Sequence, residues 1–378
     1  MGLPMKKNTT ELKKTITSLA KKHGTPLFLI SESLLIEQVK KFQTLLPSVN
    51  PFYAVKANSH PFVLKILAEY GIGFDVASMQ EMEAVLDLGV KPDRIIFANT
   101  VKRPEALQFA AQHGVRLMTF DSEYELNKIA KYAPGAHVLI RIKVPNVGSL
   151  VELSLKFGAE PTDAIPLLIK AFQMKLKPVG VSFHVGSQST NEENYLASLE
   201  MASMIFNEAK LKQLPLEILD IGGGFPIRHF DQDKDIFSPM SIQIKKELKR
   251  LFGPDVQVIA EPGRAFVGPA CYLVMQVVGK SIRGNKHWYY LDDGVYGSLS
   301  GIIFDHAKYQ YHTFRRGVTQ ITTLAGPTCD SLDIISVSED MPELEIGDLI
   351  YCENIGAYSW TTATNFNGIP PAEVVLIP

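Results

Sequence analysis

The chain has 378 residues, of which 38 are basic and 40 acidic, so its formal net charge is −2. A chain of this length can bury a large core, and it predicts one large domain with a smaller one or two comparable domains. Near-neutral charge excludes a global field that would recruit nucleic acid or an acidic membrane. Small molecules are therefore the expected partners.

Three cysteines are present, Cys271, Cys329 and Cys352, without the spacing of a metal site. An odd number of unpatterned cysteines favours a reducing compartment over a disulfide framework. The N-terminus is polar and rich in lysine, and no stretch reaches the length of a membrane span. We therefore expect a soluble, cytoplasmic protein without a metal centre.

The first part of the chain alternates between two periodicities. After an N-terminal extension of residues 1–25 and a short apolar run, FLIS, eight strand-like runs alternate with amphipathic stretches of helical period. The strand-like runs read YAVKA, FDVAS, RIIFAN, LMTFDS, VLIRIKV, GVSFHVG, ILDIGGG and VIAEPG. This pattern is typical of a (β/α)8 barrel, which we place at residues 26–265.

After about residue 266 the pattern changes to strands and turns with little helix. The strand-like runs there read CYLVMQVVGKSIRG, KHWYYLDDG, TQITTLAGP, GDLIYCENIG and AEVVLIP. They predict a separate C-terminal β-domain over residues 266–378. The predicted fold class is therefore α/β, a TIM-like barrel followed by a β-domain.

Polar side chains stand late in every predicted barrel strand. They are Lys56, Asp75, Ser78, Asn99, Asp121, Arg141, His184, Ser187, Asp220, Glu261 and Arg264. Active sites of such barrels lie where strands end and loops begin, so these side chains should converge on one rim. A lysine, a histidine, a glycine-rich loop, a carboxylate and an arginine together suit a phosphorylated cofactor that forms an imine.

Two of these segments have a direct chemical interpretation. Lys56 lies in an apolar run, FYAVKAN, where partial dehydration would favour the neutral amine that attacks an aldehyde. The loop DIGGGFP, with Gly222, Gly223 and Gly224, would let backbone N–H groups approach a phosphate closely. It lacks the GxGxxG spacing, which disfavours a dinucleotide.

Four further side chains fit the same ligand. Arg264 can add a fixed charge near the phosphate, and Glu261 can pair with a protonated ring nitrogen. His184 offers a flat ring for stacking, and Ser187 can hydrogen-bond phosphate. Taken singly, each such residue is more often a solvated rim residue, a turn residue or a core histidine. Their order along successive strands favours the cofactor site.

Several longer segments carry a family resemblance. They read FYAVKAN, FDVAS, FHVGSQ, DIGGGFP, EPGR, DDGVYGS, GPTCDSLD and ENIGAY with the following NFNG. Together they resemble the fold type III pyridoxal-phosphate decarboxylases of the ornithine/lysine decarboxylase group, from about residue 25 to the C-terminus. The resemblance implies an alanine racemase/ornithine decarboxylase-like barrel and β-domain, pyridoxal 5'-phosphate as cofactor, and a homodimer whose active sites are shared across the interface.

The resemblance also implies roles for individual residues. Lys56 would form the Schiff base with the cofactor, His184 would stack on its ring, and Glu261 would hold the proton of the pyridinium. The phosphate would be held by Ser187, Gly222, Gly223, Gly224, Arg264 and Tyr358. A supporting network behind the lysine would consist of Asp75, Glu81 and Arg141.

The C-terminal segments of the resemblance concern the substrate. Cys329 would come from the partner subunit and protonate the α-carbon after CO2 leaves. Asp330 and Asp305, in IIFDHAKY, resemble the two aspartates that bind the distal ammonium, and two carboxylates match a second positive charge on the substrate. Tyr296 and Phe366 are expected to line the same site.

We therefore expect a carbon–carbon lyase that converts L-ornithine to putrescine, L-lysine to cadaverine, or both, in polyamine biosynthesis. Arginine and diaminopimelate stay open as substrates, although diaminopimelate decarboxylases typically carry glutamate where this chain has Asp330. A racemase would need a tyrosine base in place of the GPTCD segment. A catalytically inactive regulator similar to antizyme inhibitors would be expected to lose cofactor residues. Ser331 and Trp360 depart from the usual pattern and leave the preference among basic substrates open.

Overall fold

The computed structural model describes residues 9–149, 156–230 and 232–378, and these form two compact units. The sheet unit comprises the described residues of Met1–Ser33, His229–Gln232 and Gly268–Pro378. The barrel unit comprises those of Leu34–Arg228 and Asp233–Val267. Residues 1–8 of the predicted extension lie outside the described residues.

The described chain begins in the sheet unit, with helix α1 (Thr9–His23) and strand β1 (Leu27–Ser31). The apolar run FLIS lies in β1, and all five residues of this strand are buried. It pairs with two strands formed by the last third of the chain, antiparallel with one and parallel with the other. The start of the chain therefore completes a sheet that is otherwise built from its end.

Eight parallel strands close the barrel that the alternating pattern predicts. Their bounds are β2 (Val49–Ala54), β3 (Gly73–Val76), β4 (Ile95–Phe97), β5 (Leu117–Phe120), β6 (His137–Arg141), β7 (Lys177–Ser182), β8 (Ile218–Asp220) and β9 (Gln257–Ala260). Each strand pairs with the next along the chain, and β2 pairs with β9 to close the ring. The predicted barrel is thereby confirmed.

Helices alternate with these strands. Their bounds are α2 (Glu32–Leu45), α3 (Pro61–Glu69), α4 (Met79–Leu86), α5 (Pro104–Gln112), α6 (Glu123–Tyr132), α7 (Ala164–Gln173), α8 (Glu193–Leu211), α9 (Phe237–Leu251) and α10 (Arg264–Val267). Ser78 caps α4 by accepting the N–H of Glu81 at 3.2 Å, and Ser122 caps α6 by accepting that of Glu125 at 3.3 Å. These N-caps fix where two of the loops after the strands end.

The barrel interior is a packed apolar core rather than a channel. It is formed by Phe52, Ile96, Ala98, Leu139, Val179 and Ile259, with Leu117 and Ile218 packed against them. Burying one large aliphatic or aromatic side chain of this kind stabilises the fold by about 1.5–3 kcal/mol. The strands therefore give the polar residues at their ends a rigid support.

The remaining strands build the sheet unit. They are β10 (Cys271–Arg283), β11 (Lys286–Leu291), β12 (Tyr311–Thr313), β13 (Thr319–Ala325), β14 (Ile334–Pro342), β15 (Leu349–Glu353) and β16 (Glu373–Ile377), with a short helix α11 (Gly301–Phe304). They run in the order β12-β15-β10-β11-β13-β14, and β1 joins through β10 and β16. Strand β1 lies in this unit although it falls within the range 26–265 predicted for the barrel. The boundaries 26–265 and 266–378 stay a prediction.

Two strands of this sheet have no counterpart among the predicted runs. The sequence of β14, IISVSEDMP, contains adjacent acidic residues that disfavour a strand, yet it pairs antiparallel with β13 through two register shifts. The other, β12, has only three residues and pairs with β15. In both cases pairing with a neighbouring strand stabilises a strand that the local sequence does not predict.

Within the described ranges, no helix combines the length and apolar character that a membrane span requires.

Candidate active site

The polar residues predicted for the rim stand at the ends of barrel strands. Lys56 lies in a 3-10 turn, Val55–Ala57, directly after β2, and Arg141 and Asp220 are the last residues of β6 and β8. Glu261 directly follows β9, and His184 lies two residues after β7. Because the strands are parallel and form one closed ring, these positions share one end of the barrel.

Lys56 forms an ion pair with a buried carboxylate. Its Nζ lies 2.6 Å from Asp75 Oδ2, and the side chains of Lys56 and Asp75 are 40% and 1% exposed. That partial dehydration favours the neutral amine of Lys56 stays a prediction, and the adjacent carboxylate acts in the opposite direction. The strand register brings the two side chains together, because Asp75 on β3 stands opposite Ala54 at the end of β2.

The turn that carries Lys56 is braced by the EPG segment after β9. The backbone N–H of Ala54 donates to Pro262 O at 3.2 Å. A Cβ on Gly263 would lie 2.9 Å from Ala57 Cβ and 3.3 Å from Ala54 Cβ, so only glycine lets the two backbones approach this closely. The Lys56 turn is therefore held by the segment that carries Glu261.

Glu261 and Asp220 form a buried pair of carboxyl groups. They are 5% and 0% exposed, and their side chains hydrogen-bond each other. Asp220 also accepts the N–H of Gly222 at 2.9 Å and the hydroxyl of Ser182 at 3.0 Å. Burial raises the pKa of Asp220 to about 6, and burial followed by the charges of Asp220 and Asp75 raises the pKa of Glu261 well above its usual range. The pair therefore holds a proton near neutral pH.

Asp220 is a site residue whose position on the rim follows from the sequence but whose role does not. Its signal in the sequence is its position, since it ends the strand that leads directly into the three glycines. The structure adds that its carboxyl group contacts both the glycine loop and Glu261. It therefore links two predicted parts of the cofactor site.

We expect Asp220→Asn to stabilise the protein without cofactor at pH 8, by about 1–3 kcal/mol in the free energy of unfolding. The pKa of Asp220 is raised from 3.8 to about 6, so its contribution to stability is fully present below about pH 4 and is lost as pH rises through about 6. Urea unfolding of both proteins at pH 5 and pH 8 measures the effect, with the exposed Asp340→Asn as control. Parallel pH profiles of wild type and Asp220→Asn would contradict it.

The imidazole of His184 is neutral at pH 7. Its Nδ1 accepts the N–H of Gly186 at 3.0 Å. Burial, and then the positive charges of Arg141 and Lys56, hold the pKa of His184 well below its usual value. A Cβ on Gly223 would lie 3.0 Å from His184 Nε2, so the ring lies against the glycine loop. A neutral flat ring in this place suits stacking on an aromatic ligand.

The glycine loop fits a phosphate. Gly222 and Gly224 adopt φ values of 64° and 99°, in the left-handed region that favours glycine. A Cβ on Gly222 would overlap Phe183 O, and one on Gly224 would overlap Gly186 O. The loop is therefore a cradle without side chains, in which backbone N–H groups can approach an anion. Ser187 directly follows Gly186.

The charged residues beside the loop fit the remainder of a pyridoxal phosphate. Arg264, 5% exposed, opens α10 directly after the EPG segment, where a guanidinium can offset a phosphate charge. Within the described part of the chain, the buried Oε1 of Glu261 has no hydrogen-bond partner. A buried acceptor without a partner costs free energy, and the N–H of a protonated pyridine would satisfy it.

Four of the substrate residues predicted for the β-domain lie together in the sheet unit. Cys329 is exposed, and its backbone N–H donates to Asn367 Oδ1 at 3.0 Å. The next residue, Asp330, accepts the hydroxyl of Tyr296 at 2.6 Å, and the rings of Tyr296 and Phe366 stack with centroids 4.4 Å apart. A backbone N–H and this hydroxyl hold the pKa of Asp330 below its usual value, so the carboxylate is ionised.

The other predicted residues have individual surroundings. Glu81 accepts the backbone N–H of Ala77 at 2.6 Å, and burial raises its pKa. Arg141 lies 5.1 Å from the ring centroid of Phe157. Asp305 directly follows α11 and is 7% exposed, and Tyr358 has a φ of 53°, unusual for a residue other than glycine. The roles of Asp305 and Tyr358 in binding substrate and phosphate stay predictions.

Comparison with known proteins agrees with this site. The profile of the family described as "Pyridoxal-dependent decarboxylase, pyridoxal binding domain" matches residues 32–268. The lysine/ornithine decarboxylase of Selenomonas ruminantium is 41% identical over 370 residues, which cover 98% of this chain and 94% of that protein. The family match therefore spans every barrel residue discussed above, and the relative spans both units.

Two solved structures are also similar. Lysine decarboxylase from Selenomonas ruminantium, in complex with pyridoxal phosphate and cadaverine, superposes with a TM-score of 0.91 and 40% identity, covering 97% of this chain and 93% of that one. The arginine decarboxylase of Paramecium bursaria Chlorella virus superposes with a TM-score of 0.92 and 35% identity, covering 97% of this chain and all of that one. Both similarities extend over the barrel and the C-terminal sheet.

Proposed function

The chain belongs to the pyridoxal-dependent decarboxylases, and from that premise we propose that it removes CO2 from L-lysine or L-ornithine to give cadaverine or putrescine, as a step of polyamine biosynthesis. One observation carries the choice of substrate. The carboxylate of Asp330 is held ionised next to Cys329 and beside the stacked rings of Tyr296 and Phe366. A fixed negative charge above an aromatic wall suits an aliphatic chain that ends in an ammonium group.

The barrel residues would hold and orient the cofactor. Pyridoxal phosphate, when bound, supplies the electron sink for the pair of electrons left behind by CO2. Lys56 would attach it covalently, Glu261 would accept a hydrogen bond from its ring nitrogen, and His184 would cover one face of the ring. The phosphate would be bound by Ser187, Gly222, Gly223, Gly224, Arg264 and Tyr358. Asp75, already paired with Lys56, would keep the amine in place.

Cys329 would deliver the proton that completes the amine. Its thiol is exposed and unpaired, whereas Cys271 and Cys352 are buried. Cys329 and Asp330 are adjacent, so the proton donor and the group that binds the distal ammonium belong to one loop. The length of the bound substrate would therefore decide how its α-carbon stands relative to the thiol.

We expect Asp330→Asn to raise KM for L-lysine and L-ornithine by about 10- to 100-fold, with a smaller effect on kcat. The neutral amide keeps the shape of the side chain but loses the charge that pairs with the distal ammonium. Amine formation should be measured with L-lysine, L-ornithine, L-arginine and meso-diaminopimelate in parallel, with the exposed Asp340→Asn as control. Unchanged KM values for both diamino acids would refute the charge argument, and turnover of diaminopimelate alone would refute the substrate class.

Arginine is a second candidate, favoured by the similarity to the viral arginine decarboxylase. A guanidinium is planar and can donate two parallel hydrogen bonds to one carboxylate, so Asp330 could also serve this substrate. Ser331 and Trp360 lie in the two segments where the usual pattern changes. The same four-substrate assay separates arginine from the two shorter diamino acids.

We also propose that the protein is a cytoplasmic homodimer whose active sites are shared between the two subunits. The sheet unit leaves large apolar side chains near Cys329 in solvent, with Leu332 68% and Phe366 39% exposed. Apolar surface beside a reactive thiol is what a second subunit would cover. The free state of the three cysteines fits a reducing compartment.

A further inference from the structure

We propose that Asp333 is a positioning residue for this reaction, whose buried carboxylate fixes the segment with Cys329 and Asp330 against the segment with Tyr296. The inference rests on the function proposed above for those three residues. Asp333 itself is 2% exposed and immediately precedes β14, outside the residues that would touch substrate.

The carboxylate of Asp333 joins the two segments directly. Its Oδ2 accepts the backbone N–H of Thr328 at 3.0 Å and the Thr328 hydroxyl at 2.7 Å. Its Oδ1 accepts the backbone N–H of Val295 at 2.9 Å. Thr328 immediately precedes Cys329, and Val295 immediately precedes Tyr296. One oxygen thus serves each segment.

Two glycines make room for this carboxylate. A Cβ on Gly326 or on Gly294 would overlap Asp333 Oδ1. Neither glycine has a positive φ, so close approach rather than backbone conformation explains the residue type. Gly326 belongs to the segment with Cys329 and Gly294 to the segment with Tyr296. Both segments are therefore shaped to pack against the same buried carboxylate.

The backbone of Asp333 closes the loop that carries Cys329. Gly326 N–H donates to Asp333 O at 2.8 Å, and Asp333 N–H donates to Asp330 O at 3.1 Å. Backbone hydrogen bonds of Asp333 therefore join the two ends of the loop from residue 326 to 333, and its side chain holds Thr328 within the loop. The hydrogen bond from Tyr296 to Asp330 then depends on both segments being held.

An amide cannot replace this carboxylate. All three side-chain hydrogen bonds come from donors, and an ionised aspartate offers acceptors on both oxygens. In Asp333→Asn one oxygen remains, so the new NH2 group must face either the Val295 N–H or the N–H and hydroxyl of Thr328, and of these three groups only the hydroxyl can turn to accept a hydrogen bond. A buried donor that faces another donor loses its hydrogen bond, so one segment would be released.

The test measures the alkylation rate of the Cys329 thiol separately from turnover. In the pyridoxal-phosphate-loaded enzyme, we expect Asp333→Asn to change the rate of Cys329 alkylation by iodoacetamide, read by mass spectrometry of the peptide, with a rise of about tenfold as the loop loosens. Buried Cys271 and Cys352 should stay slow to react, which shows that the sheet unit remains folded. KM for the preferred diamino acid should rise in parallel, because Asp330 belongs to the same loop.

Thr328 supplies a milder pair of variants. Thr328→Val removes one hydrogen bond to Asp333 without a change of shape, and we expect alkylation of Cys329 to rise about threefold. Thr328→Ser keeps the hydroxyl, so Cys329 should be alkylated at the wild-type rate in this variant. Asp340→Asn serves as the exposed control.

Each result has a definite meaning. Wild-type alkylation rates and KM in both Asp333→Asn and Thr328→Val would overturn the inference. If Asp333→Asn also exposes Cys271 and Cys352, that variant has unfolded, and the comparison of Thr328→Val with Thr328→Ser decides. Normal amine yield from Cys329→Ala would refute the proposed proton donor while leaving the alkylation result valid for Asp333.

Discussion

Lys56→Ala should abolish the covalent attachment of pyridoxal phosphate and lower kcat by about 10³-fold or more. Alanine has no amine to bond the aldehyde, and no second lysine ends a neighbouring barrel strand. The cofactor would keep its contacts with the glycine loop but lose its fixed position relative to Glu261 and His184. Borohydride reduction of the loaded protein followed by peptide mass spectrometry checks the result: the wild type should carry the adduct on Lys56 and the variant none.

Lys56→Arg is the matched control for this variant. It keeps a positive charge for the buried Asp75, which is 1% exposed and would otherwise be left without its partner, at a cost to stability. Arginine should therefore retain more thermal stability than alanine while still lacking the adduct. An adduct on another lysine of the wild type would contradict the assignment of Lys56.

Mixing two inactive proteins tests the shared site. Lys56→Ala and Cys329→Ala subunits, recombined at random, should regain activity in about a quarter of the sites if each site takes Lys56 from one subunit and Cys329 from the other. No recovery would show that the two residues act within one subunit or that no dimer forms.

The parts of the site that the sequence predicts are those that depend on local pattern. Alternating periods place Lys56, His184 and Glu261 at the ends of strands, and barrel closure brings strand ends together whatever the details of register. The glycine loop was also predictable from the sequence, because only glycine tolerates the backbone conformation and the close approach at Gly222 and Gly224. Position on the rim was therefore predictable.

The parts that the sequence does not predict are partnerships between segments distant in the chain. Asp75 meets Lys56 because β3 pairs with β2 in one register, and a shift of one residue would turn its side chain to the other face. Asp220 meets Glu261 across β8 and β9, and Asp333 accepts a hydrogen bond from Val295, 38 residues earlier in the chain. The family resemblance placed Asp75 behind Lys56, but no local pattern in the sequence shows any of these three partnerships.

The difference between local pattern and long-range pairing also explains which strands of the sheet unit were predicted. The run FLIS is apolar enough to be recognised as a strand, but its partners β10 and β16 lie more than 200 residues away and decide which sheet it joins. The reverse holds for β14, where pairing with β13 makes a strand of a partly acidic segment. Long-range pairing overrides local propensity in both cases.

Glu261→Gln should lower kcat by about 10²- to 10³-fold while leaving the covalent attachment to Lys56 intact. Glutamine fills the same space but is neutral, so the proton on the ring nitrogen loses the negative charge that stabilises it, and the ring becomes a weaker electron sink. Single-turnover CO2 release measures the loss, and borohydride trapping on Lys56 confirms that the cofactor is still bound.

Asp220→Asn is the control that separates charge from packing at Glu261. It removes the neighbouring carboxyl group but leaves the Glu261 carboxylate, whose pKa should fall because one of the charges that raise it has gone. We therefore expect Asp220→Asn to lower kcat by less than about tenfold and to extend activity to lower pH, whereas Glu261→Gln should be slow at every pH. Equal losses in the two variants would mean that the pair acts by packing alone, and the charge of Glu261 would then have no separate part in catalysis.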